Sequence, residues 1–156
     1  MGEIIIVFVD GGCHPNPGIG GIGCVIKYKH LTKEISDAFE LTSNNRMELM
    51  SVICAFKFLN SKKMYQKCSK IQLFSDSRYV INTFEKKWIN VWLTSNWKNR
   101  TIKNIDLWKQ LLDEIQFYEV DWQWIHGHSD NENNCRCDEL ATAAIKSGIY
   151  KIDSGY

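Results

Sequence analysis

Residues 4–12 read Ile4-Ile5-Ile6-Val7-Phe8-Val9-Asp10-Gly11-Gly12. An unbroken apolar run, mostly β-branched and halted by Asp-Gly-Gly, describes a short strand buried on both faces and ended by a turn. A strand without a polar face belongs inside a sheet covered on each side, so the stretch predicts an α/β chain with helices packed on the sheet. Asp10 then stands at the carboxyl end of that strand. Downstream, Gly21 to Lys29 and Lys33 to Leu41 carry strand-type residues on either side of a His30-Leu31-Thr32 link, and the first third of the chain predicts an antiparallel meander.

From Asn45 the period changes to that of a helix, with two adjoining apolar stripes: Leu49, Ile53 and Phe56 on one, Val52, Ala55 and Leu59 on the other, the second headed by Glu48. Lys70 to Ser75 is a further short strand ending at Asp76, followed by helical spacing through Tyr79, Val80 and Phe84. Residues 86–103 are rich in Trp, Lys and Asn with weak periodicity. Asn104 is placed to cap a helix through Leu107, Trp108, Leu111, Leu112 and Ile115. Glu119 to His126 alternates as a strand does, and Asn134 to Ser147 reads as a last helix stopped by Gly148. The sum is β-β-β-α-β-α, a basic insert, then α-β-α: a mixed sheet of five strands.

With 156 residues, 44% hydrophobic, 24% charged and two prolines, the chain has the material for a packed core and is neither disordered, collagenous nor a coiled coil. The opening apolar run is far too short to span a bilayer and lacks the flanks of a signal peptide. The six cysteines follow no framework spacing, and Cys24 and Cys54 sit within apolar patterns, which fits free thiols in a reducing compartment. A cytoplasmic location is expected. A net charge of +1 gives no global pull on nucleic acid, so polyanion binding would need a local patch.

Four acids occupy places where an acid is awkward. Asp10 and Asp76 each follow an apolar strand, Glu48 lies on the apolar side of a helix, and Asp138 heads an Ala141/Ile145 stripe. Taken singly, each also suits a strand-end cap or a helix-terminus charge. If the two strands are neighbours, all four can converge, and carboxylates around one point repel unless hard cations sit among them. An oxygen-only donor set suits magnesium or manganese better than zinc.

Several motifs carry a family resemblance. Val9-Asp10-Gly11-Gly12-Cys13 with Asn16-Pro17-Gly18, Thr42-Ser43-Asn44-Asn45-Arg46-Met47-Glu48-Leu49-Met50, Ser75-Asp76-Ser77, Gly127-His128 and Cys137-Asp138-Glu139-Leu140-Ala141 together resemble type 1 ribonuclease H, in order, from about residue 4 to about 147. The resemblance implies a ribonuclease H-like fold, a five-stranded mixed sheet with helices on both faces and a basic helical insert at about 86–104. It implies an endonuclease that hydrolyses the RNA strand of RNA/DNA hybrids and leaves 5′-phosphate and 3′-hydroxyl ends. The family's metal-binding acids fall on Asp10, Glu48, Asp76 and Asp138, with two Mg2+ ions per site, Mn2+ able to substitute, and Asp10 bridging both. Its flexible histidine falls on His128, where an imidazole titrating near neutrality suits proton transfer or product release.

For the substrate, the resemblance places minor-groove and 2′-hydroxyl contacts on Cys13, Asn16, Asn44 and Asn45, and amides that both donate and accept match a hydroxyl partner. It places a DNA-strand phosphate pocket at Ser43 and Asn104, and sugar stacking on Trp88 and Trp92. The insert supplies the missing patch: Lys86, Lys87, Lys98, Arg100, Lys103 and Lys109 interleave with Trp88, Trp92, Trp97 and Trp108, against the single acid Asp106. Trp108 is expected in the core. Leu41, Arg78 and Cys135 depart from the commonest family pattern, which bears on affinity and site preference. Arg78, where glutamine is usual, is a candidate phosphate or base-edge contact.

Gly18-Ile19-Gly20-Gly21-Ile22-Gly23 fits a dinucleotide fingerprint but is followed by a strand pattern, so its required context is missing. His126, His128, Cys135 and Cys137 lack the spacing of common zinc sites. The expectation is a single domain over 1–156, acting as a monomer, with no separate hybrid-binding domain before residue 4 or after Tyr156. The rivals are a hybrid-binding module that does not cleave and a resolvase- or integrase-type nuclease on the same fold. Complete acids oppose the first; the Asn44-Asn45 turn and the tryptophan insert oppose the second.

Overall fold

The computed structural model describes residues 3–127 and 131–156. One five-stranded sheet runs in the order β3-β2-β1-β4-β5, with β1 Ile5–Cys13, β2 Gly18–Tyr28, β3 Leu31–Thr42, β4 Lys70–Ser75 and β5 Glu119–Trp124. The first three strands form the expected antiparallel meander, while β4 lies parallel to β1 and β5 parallel to β4. The helices are α1 Asn44–Ser61, α2 Arg78–Glu85, α3 Trp88–Thr94, α4 Ile105–Ile115 and α5 Glu132–Lys146, with one 3₁₀ turn at Met64–Gln66.

Strand parity divides the central strand between two cores. Ile5, Val7 and Val9 face α1, α2 and α4 in the main cluster with Leu49, Ile53, Phe56, Leu73, Val80, Trp108 and Leu111. Ile6 and Phe8 point the other way, where Phe8 and Phe74 stack at 4.9 Å under Cys137 and Leu140 of α5. This is why the 4–9 run has no polar face. Both stripes of α1 are buried, and Trp108 is wholly enclosed.

Boundaries differ from the sequence expectation where glycine weakens the pattern. The glycines of residues 18–23 lie inside β2, and Gly23 has α5 backbone so close that a Cβ there would sit 2.1 Å from the Cys137 carbonyl oxygen. The fingerprint-like spacing therefore serves helix–sheet packing. The insert holds a helix, α3, that weak periodicity concealed, anchored by buried Ile89. Asn104 precedes α4 as expected, but its backbone is left-handed (φ 59°) and its side chain makes no cap bond. Among the described residues no helix is long and apolar enough to cross a membrane.

Candidate active site

The register of β1 and β4 assembles the first half of the site. Phe8 pairs with Phe74, so Asp10 and Asp76, two residues on in each strand direction, arrive side by side on the face that α5 covers. Asp10 pairs with Gly23, and the close approach of α5 at Gly23 brings Asp138 over the same point. Glu48 comes from the opposite face. It reaches the sheet end because Gly11 lets α1 descend until a Cβ would meet the Met47 carbonyl oxygen at 2.3 Å and the Glu48 nitrogen at 2.9 Å.

Two adjoining clefts open here, both lined by Asp10, Asp76 and Asp138. One, of about 160 Å³, adds Asn134, Cys135 and Glu139. The other, of about 410 Å³, runs along Gly11, Gly12, Cys13, His14 and Asn44. Ser77 Oγ donates to Glu48 Oε2 at 2.5 Å while accepting the Val80 N–H at 3.2 Å as the cap of α2. The Trp124 indole N–H holds the Asp76 carbonyl at 3.0 Å. Asp138 is exposed rather than half-buried like Asp10 and Glu48.

Burial pushes the Asp10 carboxyl up to about 8, helped by repulsion from Asp76, Asp138 and Glu48 against a stabilising Gly11 N–H. Burial likewise lifts Glu48 to about 7, with Asp76 adding to it and the Ser77 hydroxyl opposing. Among the described residues no three His, Cys, Asp or Glu side chains are grouped closely enough to hold an ion as they stand. The donor chemistry nevertheless fits a hard divalent cation: every acid offers oxygen, and buried Asn134 adds an Oδ1 to the same cleft that lacks a hydrogen-bond partner. It does not fit zinc. Cys137 is buried, with its thiol pushed up to about 12 by burial and by Asp10, whereas Cys135 faces outward.

The remaining candidates fall into two groups. Asn16 Oδ1 accepts the Asn44 N–H at 3.1 Å and Asn44 Oδ1 accepts the Cys13 N–H at 2.7 Å, so the two turns are tied together and Asn44 lines the larger cleft, with Asn45 exposed next in the chain. The Cys13 thiol itself turns inward onto the Thr42 carbonyl (3.3 Å) and the Pro15 carbonyl (3.1 Å). Ser43 caps α1, accepting the Arg46 N–H at 3.3 Å. Asn104 Nδ2 donates to the Tyr79 hydroxyl at 3.1 Å.

Trp88 and Trp92 part company. Trp88 is 42% exposed, with Lys86 Nζ 5.5 Å from its ring. Trp92 packs edge-on to Trp108 at 5.4 Å and against Trp97 at 6.1 Å, so it belongs to the core side of the insert. Arg78 sits over Trp124, its guanidinium carbon 4.0 Å from the ring centroid, two residues along the chain from Asp76. His128 lies outside the described residues. Sequence reasoning passed over Ser77 and Asn134. The first was signalled by its place before a helix, whereas the second had no signal beyond an Asn-rich helix start.

The described geometry has counterparts among known proteins. The RNase H family model matches residues 2–146. Ribonuclease HI of Shewanella oneidensis is 45% identical over 157 residues, covering 99% of this chain and 95% of the relative. Ribonuclease H of Shewanella frigidimarina is 43% identical over 97% of this chain and 94% of its own. Among solved structures, LC9-RNase H1, a type 1 RNase H with the type 2 active-site motif, superposes with a TM-score of 0.84 at 26% identity over 100% of this chain and 80% of that one. LC11-RNase H1 in complex with an RNA/DNA hybrid shares the fold at 23% identity and a TM-score of 0.73, over 92% of this chain and 97% of that one. On the family match and on relatives aligned over nearly their whole length, the chain belongs to the ribonuclease H family of enzymes.

Proposed function

We propose that this chain hydrolyses the RNA strand of an RNA/DNA hybrid as an endonuclease, leaving 5′-phosphate and 3′-hydroxyl ends, with Mg2+ as its working metal and Mn2+ as a substitute. The observation that carries the reading is the gathering of Asp10, Asp76, Asp138 and Glu48 at one sheet end, with Asn44 lining the same cleft. Divalent cations bound there would supply Lewis-acid activation of a water and stabilisation of the departing 3′-oxygen. Asp10, which feels the charge of Asp76, Asp138 and Glu48 together, is the acid that would hold both cations. Glu48 is oriented by the Ser77 hydroxyl, which holds one of its carboxylate oxygens.

Asn16, Asn44 and Asn45 are suited to read 2′-hydroxyls across the minor groove, because amides satisfy a group that both donates and accepts. Ser43 and Asn104 are suited to a DNA-strand phosphate, and exposed Trp88 to a sugar face. Arg78, preorganised on Trp124, brings a fixed positive charge to the lip of an acidic site. His128 is the candidate proton carrier.

The test is cleavage of an end-labelled hybrid with Mg2+, beside single-stranded RNA, duplex RNA and duplex DNA, by wild type and Asp10→Asn. RNA cutting confined to the hybrid and lost in the variant is the expected result. Hybrid binding without cutting would make the chain a binding module, and cutting of branched DNA instead would move it to the resolvase class.

A further inference from the structure

Beyond residue 146, where the family match ends, the chain folds back onto β3. Lys151 pairs with Phe39 of β3, its N–H donating to the Ala38 carbonyl at 2.8 Å and its carbonyl accepting the Glu40 N–H at 3.0 Å. This places Asp153 in a buried position, where Asp153 Oδ2 accepts Arg46 Nε at 2.7 Å and Thr42 Oγ1 at 2.8 Å, and Oδ1 accepts Arg46 Nη2 at 2.9 Å. The same guanidinium makes a second paired contact with Asp106, at 2.9 and 2.7 Å, and Nη1 donates to Asn104 Oδ1 at 3.3 Å.

Arg46 is 4% exposed and faces two carboxylates. A charge so neutralised does not bind phosphate; a planar fork with its donors occupied by three residues on two segments fixes geometry. Its backbone N–H holds Ser43 Oγ and its side chain holds Asn104 Oδ1. Asn104 needs holding, because its backbone is left-handed and its side chain does not cap the helix it precedes. Gly155 closes the arrangement: a Cβ there would lie 2.0 Å from Asp106 Oδ2 and 2.5 Å from Arg46 Nη2.

We propose that the C-terminal strap, through Asp153 and Arg46, positions Ser43 and Asn104 as a pocket for a phosphate of the DNA strand. This rests on the phosphate-pocket reading given above. Asp153 and Arg46 are positioning residues: Arg46 touches Ser43 and Asn104, Asp153 holds Arg46 and Thr42, and together they tie the β3–α1 junction to the start of α4.

The experiment uses the full chain and hybrids carrying one uncharged methylphosphonate stepped through the DNA strand. In wild type one linkage is expected to raise KM about tenfold, the worth of a strong hydrogen bond to phosphate. Ser43→Ala and Asn104→Ala remove that sensitivity. Asp153→Asn and Gly155→Ala are expected to raise KM on unmodified hybrid by a similar factor, to lose sensitivity to the same linkage, and to leave kcat unchanged. All variants are assayed well below the lowest melting temperature among them, and Gly155→Ala carries the test if Asp153→Asn does not fold. Tail variants that melt lower yet keep the linkage sensitivity that the pocket variants lose would reduce the strap to a stability staple and overturn the inference. Pocket variants that keep the sensitivity would remove the pocket reading first, and the strap's role with it.

Discussion

Replacing Asp10 with Asn should stabilise the metal-free protein, and the gain should depend on pH. The folded carboxyl titrates near 8 because it is buried and because Asp76, Asp138 and Glu48 repel its charge, against an ordinary value of 3.8. Between those two pH values the native state binds a proton that the unfolded chain has released, so native stability falls as pH rises through the window and is flat outside it. At 1.36 kcal/mol per pH unit the full difference has a ceiling of about 6 kcal/mol. Counterions and water at the cleft mouth screen part of it, which leaves about 2 to 4 kcal/mol. The substituted amide carries no charge at any pH. In urea unfolding with chelator, wild type and Asp10→Asn should nearly coincide at pH 4 and separate by that amount at pH 8.5, or by about 5 to 15 °C in melting temperature for a chain of this size. Mg2+ should close most of the gap at pH 8.5 by stabilising wild type alone. A gap that is absent at pH 8.5, or is the same at pH 4, would refute the assignment of Asp10 as the repelled centre of the cluster.

Three further expectations follow from the same geometry. Trp92→Ala should cost about 3 kcal/mol in unfolding free energy because it empties the edge-on contact with Trp108, whereas Trp88→Ala should stay within about 0.5 kcal/mol of wild type and raise KM on hybrid about tenfold. Arg78→Gln should raise KM and flatten its dependence on salt, lowering the log–log slope by about 0.9 if the guanidinium neutralises one phosphate; an unchanged slope would remove Arg78 from the interface. Gly11→Ala must push α1 off the sheet end, since the new Cβ collides with backbone at Met47, and kcat should fall by roughly 10²-fold through displacement of Glu48.

The residues most legible from sequence are those whose partners are set by period and register. The run from Ile4 to Val9 announced a strand covered on both faces, and once β1 and β4 are neighbours, parity alone puts Asp10 beside Asp76. The two stripes of α1 announced which side Glu48 shares. Arg46 was not legible, although it lies within a quoted motif: an arginine in the first turn of a helix looks solvated, and its partners are 60 and 107 residues away. Nor could sequence separate Trp88 from Trp92. Four residues apart, both lie on one side of α3, and only the position of Trp108 beneath that helix decides which of them is covered. Asn104 shows the same limit in another form. Its residue type suits a cap, but the tertiary pull of Tyr79 and Arg46 takes its side chain elsewhere.

Whether the converging carboxylates hold cations against the reacting phosphate can be read from single-turnover cleavage of a hybrid with one phosphorothioate at the scissile RNA linkage. A large loss of rate with Mg2+ and its recovery with the softer Mn2+ are expected, since sulfur is a poor ligand for the harder ion. A rate that sulfur leaves unchanged, or cleavage that persists in chelator, would contradict that role of the carboxylates.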